Sequence, residues 1–392
     1  MSKLSNVSSY VTEKISVDSI DISEYITTDN LLQNKRGRVI AEKLPTQKVT
    51  KFKQDDILIA NIRPYLKKIW QADIDGGASF DVLVVRPNDV IDNNFLYYAL
   101  TQDSFFEYVM KGSKGTKMPR GDKSQIMNFV IPDLEIGEQI KIGKLLKSID
   151  QKIQTNNQIN QELEAMAKTL YDYWFVQFDF PDQNGKPYKS SGGKMVYHPE
   201  LKREIPEGWG VEKLENVANI TMGQSPKGSS YNETGEGIMF FQGSTDFGWR
   251  FPVARQYTTE PSRIAEEDDI LLSVRAPVGT LNIADTRCCI GRGLAAINSK
   301  VRANSYIFNV MQDFKKLFDM MNSVGTTFGS ITKDDLYSLQ LVYPPTELLM
   351  KFDKSVKSFD KEIKNRSRQN QELTQLRDWL LPMLMNGQVK VE

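Results

Sequence analysis

The sequence has very few residues of the types that commonly carry catalysis. His198 is its only histidine, and the adjacent Cys288 and Cys289 are its only cysteines. A single histidine leaves neither main part of the chain a Ser-His-Asp or Cys-His arrangement, and it excludes a metal site built from several histidines. Neighbouring cysteines rarely form a disulfide, and two thiols cannot complete a four-ligand zinc site. The composition therefore favours binding over catalysis, and we expect no catalytic residue and no metal ligand.

Long apolar runs and an excess of one charge are also missing. No run approaches the roughly 18–20 apolar residues that span a bilayer, and the first residues lack the apolar core of a signal peptide, so we predict a cytoplasmic location. The 392 residues include 50 Lys and Arg against 50 Asp and Glu. Because non-specific affinity for nucleic acid depends on neutralised phosphates, this neutral chain is not expected to bind DNA strongly by itself. The balance still allows a subunit that contacts DNA within a larger complex.

What the sequence does contain is an internal repeat. Asp55-Asp56-Ile57-Leu58-Ile59 returns as Asp268-Asp269-Ile270-Leu271-Leu272, an offset of 268 − 55 = 213. Further matches at offsets of 210 or 212 pair Arg63-Pro64 with Arg275-Ala276-Pro277, Gly115-Thr116 with Gly325-Thr326, Val130-Ile131-Pro132 with Val342-Tyr343-Pro344, and Asn160-Gln161-Glu162-Leu163 with Asn370-Gln371-Glu372-Leu373. Because the matches occur in the same order and at nearly the same offset, we infer that the chain contains two copies of one sequence unit.

Each copy combines a body of short β-like runs, separated by Gly, Asn and Pro, with one long helical pattern. The predicted boundaries are residues 1–134 for the first body, 135–178 for the first long helix, 179–205 for a linker, 206–343 for the second body, 344–387 for the second long helix and 388–392 for a tail. The predicted fold class is α+β: two α/β domains related by a pseudo-twofold axis and joined by two long helices that form an antiparallel coiled coil. The alternative is that each helix packs only on its own body.

Apolar residues at heptad spacing support both helices. The predicted stripe of the first contains Ile142, Leu145, Ile149, Ile159, Leu163, Met166, Leu170 and Tyr173. That of the second contains Leu349, Phe352, Val356, Phe359, Ile363, Leu373, Leu376, Leu380 and Met383. Lys152 and Asn156 interrupt the first stripe, and a buried asparagine there is predicted to fix the register against a partner helix at some cost in stability.

No motif in the chain indicates a cofactor site. Gly291-Arg292-Gly293-Leu294-Ala295-Ala296 fits a loose dinucleotide fingerprint, but no strand–turn–helix unit or following acidic residue accompanies it. A phosphate-binding loop of the type Gly-x-x-x-x-Gly-Lys-Ser/Thr is also absent from the sequence. We interpret the glycine run as a turn beside a recognition surface.

Basic residues in Gly-rich and Ser-rich stretches are better candidates for a binding site. Lysine side chains and backbone N–H groups on such loops suit phosphate contacts, and arginine suits guanine edges. The selected candidates for DNA contact are Lys35, Arg36, Arg38, Lys114, Lys117, Arg120, Lys123, Lys227, Arg250, Arg275, Arg292 and Lys333. The alternative is that these clusters are ordinary solvated faces.

A further series of short motifs follows almost the whole chain. It comprises Thr28-Asp29-Asn30, Asn61-Ile62-Arg63-Pro64-Tyr65, Gly76-Gly77, Tyr171-Asp172-Tyr173-Trp174-Phe175, Phe178-Asp179-Phe180-Pro181, Gly185-Lys186-Pro187-Tyr188-Lys189-Ser190-Ser191-Gly192-Gly193, Ile205-Pro206-Glu207-Gly208-Trp209, Met222-Gly223-Gln224-Ser225-Pro226 and Leu380-Leu381-Pro382-Met383-Leu384-Met385-Asn386-Gly387. Because these motifs occur in this order, the sequence resembles the specificity (S) subunit of type I restriction-modification enzymes. One departure is Leu348 after Glu347, where the family commonly has Gln.

The resemblance implies two target-recognition domains that each read one half of a split DNA target, with the helices as a ruler for the unread gap. It implies a non-catalytic chain without a cofactor of its own. Two methyltransferase (M) subunits would bring S-adenosylmethionine, and endonuclease/translocase (R) subunits would bring ATP and Mg. The double-stranded DNA would be contacted by this chain, and no membrane is implied.

Other interpretations stay open at this point. The chain is also compatible with the recognition subunit of a related enzyme that cuts on both sides of its site. From another class, it is compatible with a coiled-coil scaffold that joins two protein-binding domains and contacts no DNA. Salt-dependent binding to duplex DNA separates the scaffold from the other two.

Overall fold

The computed structural model of the protein describes residues 1–323 and 330–392, so the repeat match at Gly325-Thr326 lies outside the described residues. The chain divides into two compact units, here called unit 1 (residues 1–155 and 370–392) and unit 2 (residues 156–369). Each unit therefore contains one body and a segment of each long helix. The boundaries predicted from the sequence separate bodies from long helices, whereas these units are defined by compactness, so the predicted boundaries stay a prediction.

Unit 1 has two four-stranded sheets beside short helices. The first sheet is antiparallel, in the order Ser8–Tyr10, Val82–Pro87, Ile57–Ala60 and Ile69–Gln71. The second has the order Lys14–Ile15, Val49–Phe52, Gly76–Ala78 and Tyr25–Ile26, and its last pair is parallel. Ser2–Lys3 pairs with Val130–Ile131. The helices are α1 (Leu4–Val7), α2 (Asn93–Thr101), α3 (Asp103–Lys111), α4 (Lys123–Ile126) and the first part of α5 (Ile136–Tyr171).

Unit 2 repeats this plan. Its antiparallel sheet has the order Ala218–Met222, Leu294–Ser299, Ile270–Ser273 and Leu281–Ile283, and a five-stranded sheet has the order Tyr231–Asn232, Tyr257–Thr258, Ile238–Phe241, Cys288–Ile290 and Ile264–Ala265. Two further pairs join Gly210–Lys213 to Gln340–Tyr343 and Met195–His198 to Arg203–Pro206. The helices are the end of α5, which passes into a π-helical turn at Asp172–Val176, then α6 (Leu214–Val217), α7 (Asn304–Ser323), α8 (Lys333–Tyr337) and α9 (Thr346–Met385).

The strands of the two antiparallel sheets follow the internal repeat of the sequence. Ile57–Ala60 and Ile270–Ser273 are separated by 270 − 57 = 213, and Val82–Pro87 and Leu294–Ser299 by 294 − 82 = 212. Both pairs occupy the same two central positions of their sheets, with the same antiparallel pairing. The repeat seen in the sequence is therefore a repeat of structure, and the predicted α+β class is confirmed.

In unit 1 the two long helices run antiparallel. Asp150 of α5 pairs with Arg377 of α9, whereas Lys141, earlier in α5, reaches the carbonyl of Val391, later in the chain. Ile142 and Leu146 are buried in one core with Leu381, Leu384, Met385 and the helices of the body. The helix pair thus shares its core with the body, which stabilises both.

In unit 2 the pairing is again antiparallel and includes buried polar residues. Asn156 is fully buried and donates to Gln369 at 2.8 Å, while its oxygen accepts from Arg366 at 3.1 Å. Asn160 donates to Ser367 at 3.3 Å. The predicted buried asparagine is confirmed, and its partners on α9 specify one register, since a shift by one position would leave them unpaired.

The stripe predicted for the first helix is wrong at two positions of its second half, Met166 and Tyr173. Met166 is 53% exposed and Tyr173 is 37% exposed, whereas Ala167, Tyr171 and Trp174 are buried. A straight α-helix drifts by about 20° per heptad from a strict seven-residue repeat, so the buried face moves off the initial positions after three heptads. Leu376 of the second helix, 43% exposed, departs from its predicted stripe in the same way.

The two copies differ in how the helix after the sheet begins. In unit 1, the side chain of Asp92 caps α2 by accepting the N–H of Phe95 at 2.9 Å. Gly143 of α5 lies against this cap, and a Cβ there would be 2.5 Å from the Asp92 Oδ1 atom. In unit 2 the counterpart of Asp92 is Ala303 (304 − 93 = 211 for the helix starts), and Asp353 of α9, the counterpart of Gly143 (353 − 143 = 210), accepts the N–H of Ser305 at 3.2 Å. The capping carboxylate thus lies on the body in one copy and on the long helix in the other.

Gly143→Ala is expected to lower the free energy of unfolding by about 1–3 kcal/mol, because over-packing against the cap outweighs the better helix propensity of alanine. The double variant Asp92→Ala/Gly143→Asp reproduces the arrangement of unit 2 and should be more stable than the sum of its single variants predicts. Urea denaturation of the four proteins measures this difference. If the change in unfolding free energy of the double variant equals the sum of the two single changes, the capping carboxylate cannot be moved from position 92 to position 143.

Candidate nucleic-acid interface

Three loops of body 1 (residues 1–134) meet at one end of its sheets. The N–H groups of Asn34 and Lys35 donate to the carbonyls of Leu66 and Lys67, each at 2.9 Å, which joins residues 32–38 to residues 61–67. The N–H of Arg63 donates to Pro119 at 2.8 Å, which joins residues 61–67 to residues 113–121. We call this set of loops junction 1. It brings together most of the basic residues selected in this half of the sequence.

Left-handed backbone gives junction 1 its tight turns. Asn34 and Lys35 have φ values of 56° and 62°, and Arg63 and Lys67 have φ values of 52° and 50°. Such values are uncommon for residues with a side chain and mark a backbone held by its surroundings, often at functional sites. The turns aim Arg63 and Tyr65, on either side of the buried Pro64, into solvent.

The cations of junction 1 differ in how firmly they are held. Lys35 and Lys67 both bind Asp103 at 2.9 Å, and this contact lowers the pKa of the Asp103 carboxyl. Arg38 donates to the Ser23 carbonyl at 2.7 Å and lies over the ring of Trp70. These side chains support the loops more than they offer a charge to a ligand.

The other cations of body 1 are more available. Lys114 and Arg120 are exposed and form single ion pairs, with Asp122 at 3.6 Å and with Asp81 at 3.1 Å. Lys117 and Arg63 are exposed and have no ion pair within residues 1–323 and 330–392. Arg36 is exposed, and its guanidinium donates to the nearby carbonyl of Gln33. Three large apolar side chains are also exposed here: Tyr65 and Met118 on the same loops, and Phe80 directly before Asp81.

Body 2 (residues 206–343) has an equivalent set of loops, here called junction 2. The N–H of Gln224 donates to Ile290 at 3.0 Å, and the N–H of Val274 donates to Gly293 at 2.9 Å. A backbone bridge pairs Arg275 with Ser330, as Ile62 pairs with Arg120 in junction 1 (275 − 62 = 213; 330 − 120 = 210). The two bodies therefore share this backbone bridge between two of their loops.

Junction 2 is richer in available arginines. Lys227, Arg275 and Arg292 are exposed and have no ion pair in the part of the chain that the structure describes. Arg292 is held only through its backbone, whose N–H lies 3.4 Å from the Ser225 hydroxyl. Arg263 is equally exposed, and its carbonyl accepts the N–H of Ile290 beside the same loops.

Three selected residues lie elsewhere. Lys123 and Lys333, counterparts at 333 − 123 = 210, lie in the first turns of α4 and α8, beyond the loops of each junction. Lys333 lies over the ring of Tyr337. Arg250 is buried, with a side chain only 7% exposed, and it binds Glu164 and Asp360 of the long helices. Its placement favours a structural role, so we leave Arg250 out of the candidate interface.

The sequence selection missed Arg63 and Arg263. Arg63 could have been found, because the repeat places it opposite Arg275, which was selected. Arg263 had no such signal, since it enters junction 2 only through strand pairing of residues distant in sequence.

The described residues also bear on catalysis. Residues 1–323 and 330–392 contain no group of three or more His, Cys, Asp and Glu that could hold a metal ion, and no helix long and apolar enough to cross a membrane. Cys288 is buried, and burial raises the pKa of its thiol to about 12, so this group is a poor nucleophile. What both junctions can supply is phosphate contact by Lys, Arg and backbone N–H groups, and base contact by Arg.

Comparison with known proteins decides the family. The sequence model of the type I restriction modification DNA specificity domain matches twice, at residues 10–165 and 206–375. The chain belongs to this family. The two matches start within or at the beginning of the two bodies, so this specificity subunit carries two such domains.

Individual relatives agree with the family assignment. The specificity subunit is 33% identical over 320 residues to a protein of Methanocaldococcus jannaschii named as a putative type I restriction enzyme MjaX specificity subunit, covering 80% of this chain and 72% of that protein. It is 23% identical to the type I restriction enzyme HindI specificity subunit of Haemophilus influenzae, covering 98% of both chains. A solved type I restriction-modification S subunit from M. genitalium has the same fold, with a TM-score of 0.63, 16% identity and coverage of 98% and 95%. The resemblance found in the sequence is thereby confirmed.

Gly223 of the specificity subunit gives a direct test of junction 2. A Cβ at this position would lie 2.2 Å from the Gly291 carbonyl oxygen and 2.8 Å from that of Leu294, which are backbone atoms with little freedom to move. Gly223→Ala is therefore expected to displace the loop that carries Arg292 and to weaken DNA binding by body 2 about tenfold, in line with roughly 1–3 kcal/mol of over-packing. Gly228→Ala, in the same loop but with open space around its Cβ, is the matched control. Equal DNA affinities of the two variants would contradict this placement.

Proposed function

We propose that this chain reads a bipartite DNA target, with one body for each half of the target. The observation that carries the proposal is the shared construction of the two junctions: the same backbone bridge, Ile62 to Arg120 and Arg275 to Ser330, presents exposed basic side chains on both bodies. Two equivalent binding surfaces in one chain suit two recognition events on one duplex. Because the basic residues of the loops differ between the bodies, the two half-sites should differ in sequence.

The contacts proposed for each junction are of two kinds. Lys117 and Lys227 would bind phosphates, which positions the body without selecting a sequence. Arg63, Arg275 and Arg292 would read guanine in the major groove, where a bidentate contact to O6 and N7 distinguishes this base from the others. Two bodies can face one side of the duplex when their half-sites lie about one helical turn, roughly 34–36 Å, apart.

The long helices would then act as a ruler for the gap, the unread base pairs between the half-sites. This role is supported by the specific register of the helix pair, in which Asn156 and Asn160 of α5 bond Gln369 and Ser367 of α9. A register fixed by buried polar contacts keeps the length of the pair constant, as a ruler requires.

We propose that the chemistry lies in partner subunits within the cytoplasm. Two methyltransferase subunits would supply S-adenosylmethionine and receive the target adenine flipped out of the duplex. Endonuclease subunits with ATP and Mg would join for cleavage. The zero net charge of this chain supports a shared interface, because a neutral subunit gains DNA affinity from the basic surfaces of its partners.

The exposed apolar side chains of the long helices are the proposed docking surface for the methyltransferase subunits. Met166 and Trp379 are 53% and 60% exposed, although both belong to helices whose other faces are buried. Leu376, three residues before Trp379 on the same face of α9, is also exposed, and contiguous apolar surface commonly marks a protein interface.

The test is to co-express this chain with the methyltransferase encoded beside its gene, purify the complex through a tag on this chain, and titrate duplex DNA at several salt concentrations. We expect binding whose logarithm falls linearly with the logarithm of the salt concentration, and methylation of adenines in a split motif. A non-DNA scaffold would show no salt-dependent binding. A complex that cuts on both sides of its motif would place the chain in the related class of enzymes instead.

A further inference from the structure

Equivalent aspartates connect each body to the long helices. Asp150 of α5 and Asp360 of α9 are counterparts in the repeat, separated by 360 − 150 = 210. Each accepts hydrogen bonds from a residue of its own body and from an arginine. The element that supplies the arginine differs between the two units.

In unit 1 the arginine belongs to a long helix. Tyr98 of the body donates its hydroxyl to Oδ2 of Asp150 at 2.7 Å, and Arg377 of α9 donates from Nη1 to Oδ1 at 2.7 Å. The ion pair therefore joins the two helices to each other. Among the residues that the structure describes, the body is connected to Asp150 only by this neutral hydroxyl.

In unit 2 the arginine belongs to the body. Arg250 donates from Nη2 to Oδ1 of Asp360 on α9 at 2.7 Å and from Nη1 to Oε1 of Glu164 on α5 at 2.9 Å. The second oxygen of Asp360 accepts the hydroxyl of Ser305 at 2.7 Å. One guanidinium from the body thus holds a carboxylate of each long helix.

The surroundings of Arg250 make this contact rigid. Its side chain is 7% exposed, and the guanidinium lies 4.2 Å from the centre of the Phe308 ring. Its carbonyl accepts the N–H of Ile283 at 2.9 Å, which connects the loop to the edge strand Leu281–Ile283 of the antiparallel sheet of body 2. A buried guanidinium with two charged partners in fixed directions holds its neighbours in one geometry, because its planar fork loses little freedom when it binds.

We propose that Arg250 is a positioning residue, which sets the orientation of body 2 on the helix pair and thereby the gap length that the subunit accepts. The inference rests on the proposed function and adds a named residue to it. Arg250 contacts no DNA in this role and acts through the helices. Since body 1 has no equivalent charged contact to its helices at Asp150, the control of the gap is assigned to the body 2 side.

The proposal is tested with complexes that contain the methyltransferase partner and a set of duplexes whose two half-sites are constant and whose gap varies by single base pairs. Arg250→Met keeps an apolar side chain of similar length and removes both ion pairs. Arg250→Lys keeps one charge but can bind only one carboxylate at a time. Arg287→Met removes an exposed arginine of the same body, paired with exposed Glu266 at 3.3 Å, and is the matched control.

The measured quantity is the ratio of methylation rates between the preferred gap and gaps one base pair longer or shorter. We expect this ratio to fall about tenfold for Arg250→Met, less for Arg250→Lys, and not at all for Arg287→Met. A residue that only stabilises the fold would lower the rates at all gaps equally and leave the ratio unchanged. An unchanged ratio for folded Arg250→Met therefore overturns the proposal.

A second variant covers the case in which Arg250→Met does not fold, because it leaves two carboxylates without their cation. Glu164→Gln/Arg250→Met/Asp360→Asn removes all three charges at similar volume, and the same loss of gap discrimination is expected. If neither variant yields a folded subunit, the cluster serves stability alone and the proposal is wrong. Failure of the proposed function is a separate result, since the wild-type complex would then methylate no split target at any gap.

Discussion

Replacing Arg63, Lys117 and Arg120 with alanine is expected to lower the affinity of the partnered complex for its target by at least about 10²-fold, because removing each base or phosphate contact costs roughly 1–3 kcal/mol. Arg120 contributes least to this sum, since its ion pair with Asp81 at 3.1 Å must be broken before it binds DNA. The salt dependence should also weaken, by about 0.9 in slope for each phosphate that the variant no longer neutralises. Fluorescence anisotropy with a labelled duplex at several salt concentrations measures both effects.

The matched control for this triple variant removes the same charge from the same body. Lys43, Lys48 and Lys53 are exposed, lie outside the loops of junction 1 and have no ion pair in the described residues. Their replacement with alanine should change the affinity by less than about threefold, an effect within the usual range for exposed charges. If both triple variants weaken binding equally, the effect is one of net charge and the interface lies elsewhere.

The second large effect is expected from the long helices. Removing residues 151–157 from α5 together with residues 368–374 from α9 shortens both helices by about 10.5 Å, at 1.5 Å per residue. Because seven residues make one heptad, each deletion keeps the phase of the coiled coil. The paired deletion also removes Asn156 with its acceptor Gln369, so neither is left buried alone. We expect methylation at the original gap to fall by at least about 10²-fold and to return on targets with a shorter gap, with both half-sites unchanged.

A deletion from only one helix is the control for this experiment. It leaves the buried groups of the other helix without their partners, so we expect it to destabilise the chain rather than to select a new gap. A selection from duplexes with randomised gap lengths identifies the preferred target of each variant. If the variant with both deletions folds and still prefers the original gap, the helices do not act as a ruler.

The repeat is the most informative feature of the sequence. Its offsets alone place Ile57–Ala60 and Ile270–Ser273 in equivalent positions, and its second part predicts two long helices. These features depend on local patterns and on the comparison of the chain with itself, which a sequence records directly. The same comparison would have added Arg63 to the candidates through Arg275.

Other features depend on contacts between distant residues. Lys227 and Arg250 look alike in sequence, as basic residues in polar loops, yet one is exposed and the other is buried between two carboxylates. Only the fold brings Glu164 and Asp360 to Arg250. The exchange of the capping carboxylate between Asp92 and Asp353 is equally invisible in the sequence, because it requires the packing of the long helices on the bodies.

A map of methylated adenines in the DNA of a host that expresses this chain with its methyltransferase partner tests directly whether each body reads one half-site. We expect one split motif for the wild type. We also expect Arg63→Ala to relax one half of that motif and Arg275→Ala/Arg292→Ala to relax the other, because these arginines are the proposed base contacts. No methylation, a continuous motif, or loss of the same half in both variants would contradict a chain that reads one half-site with each body.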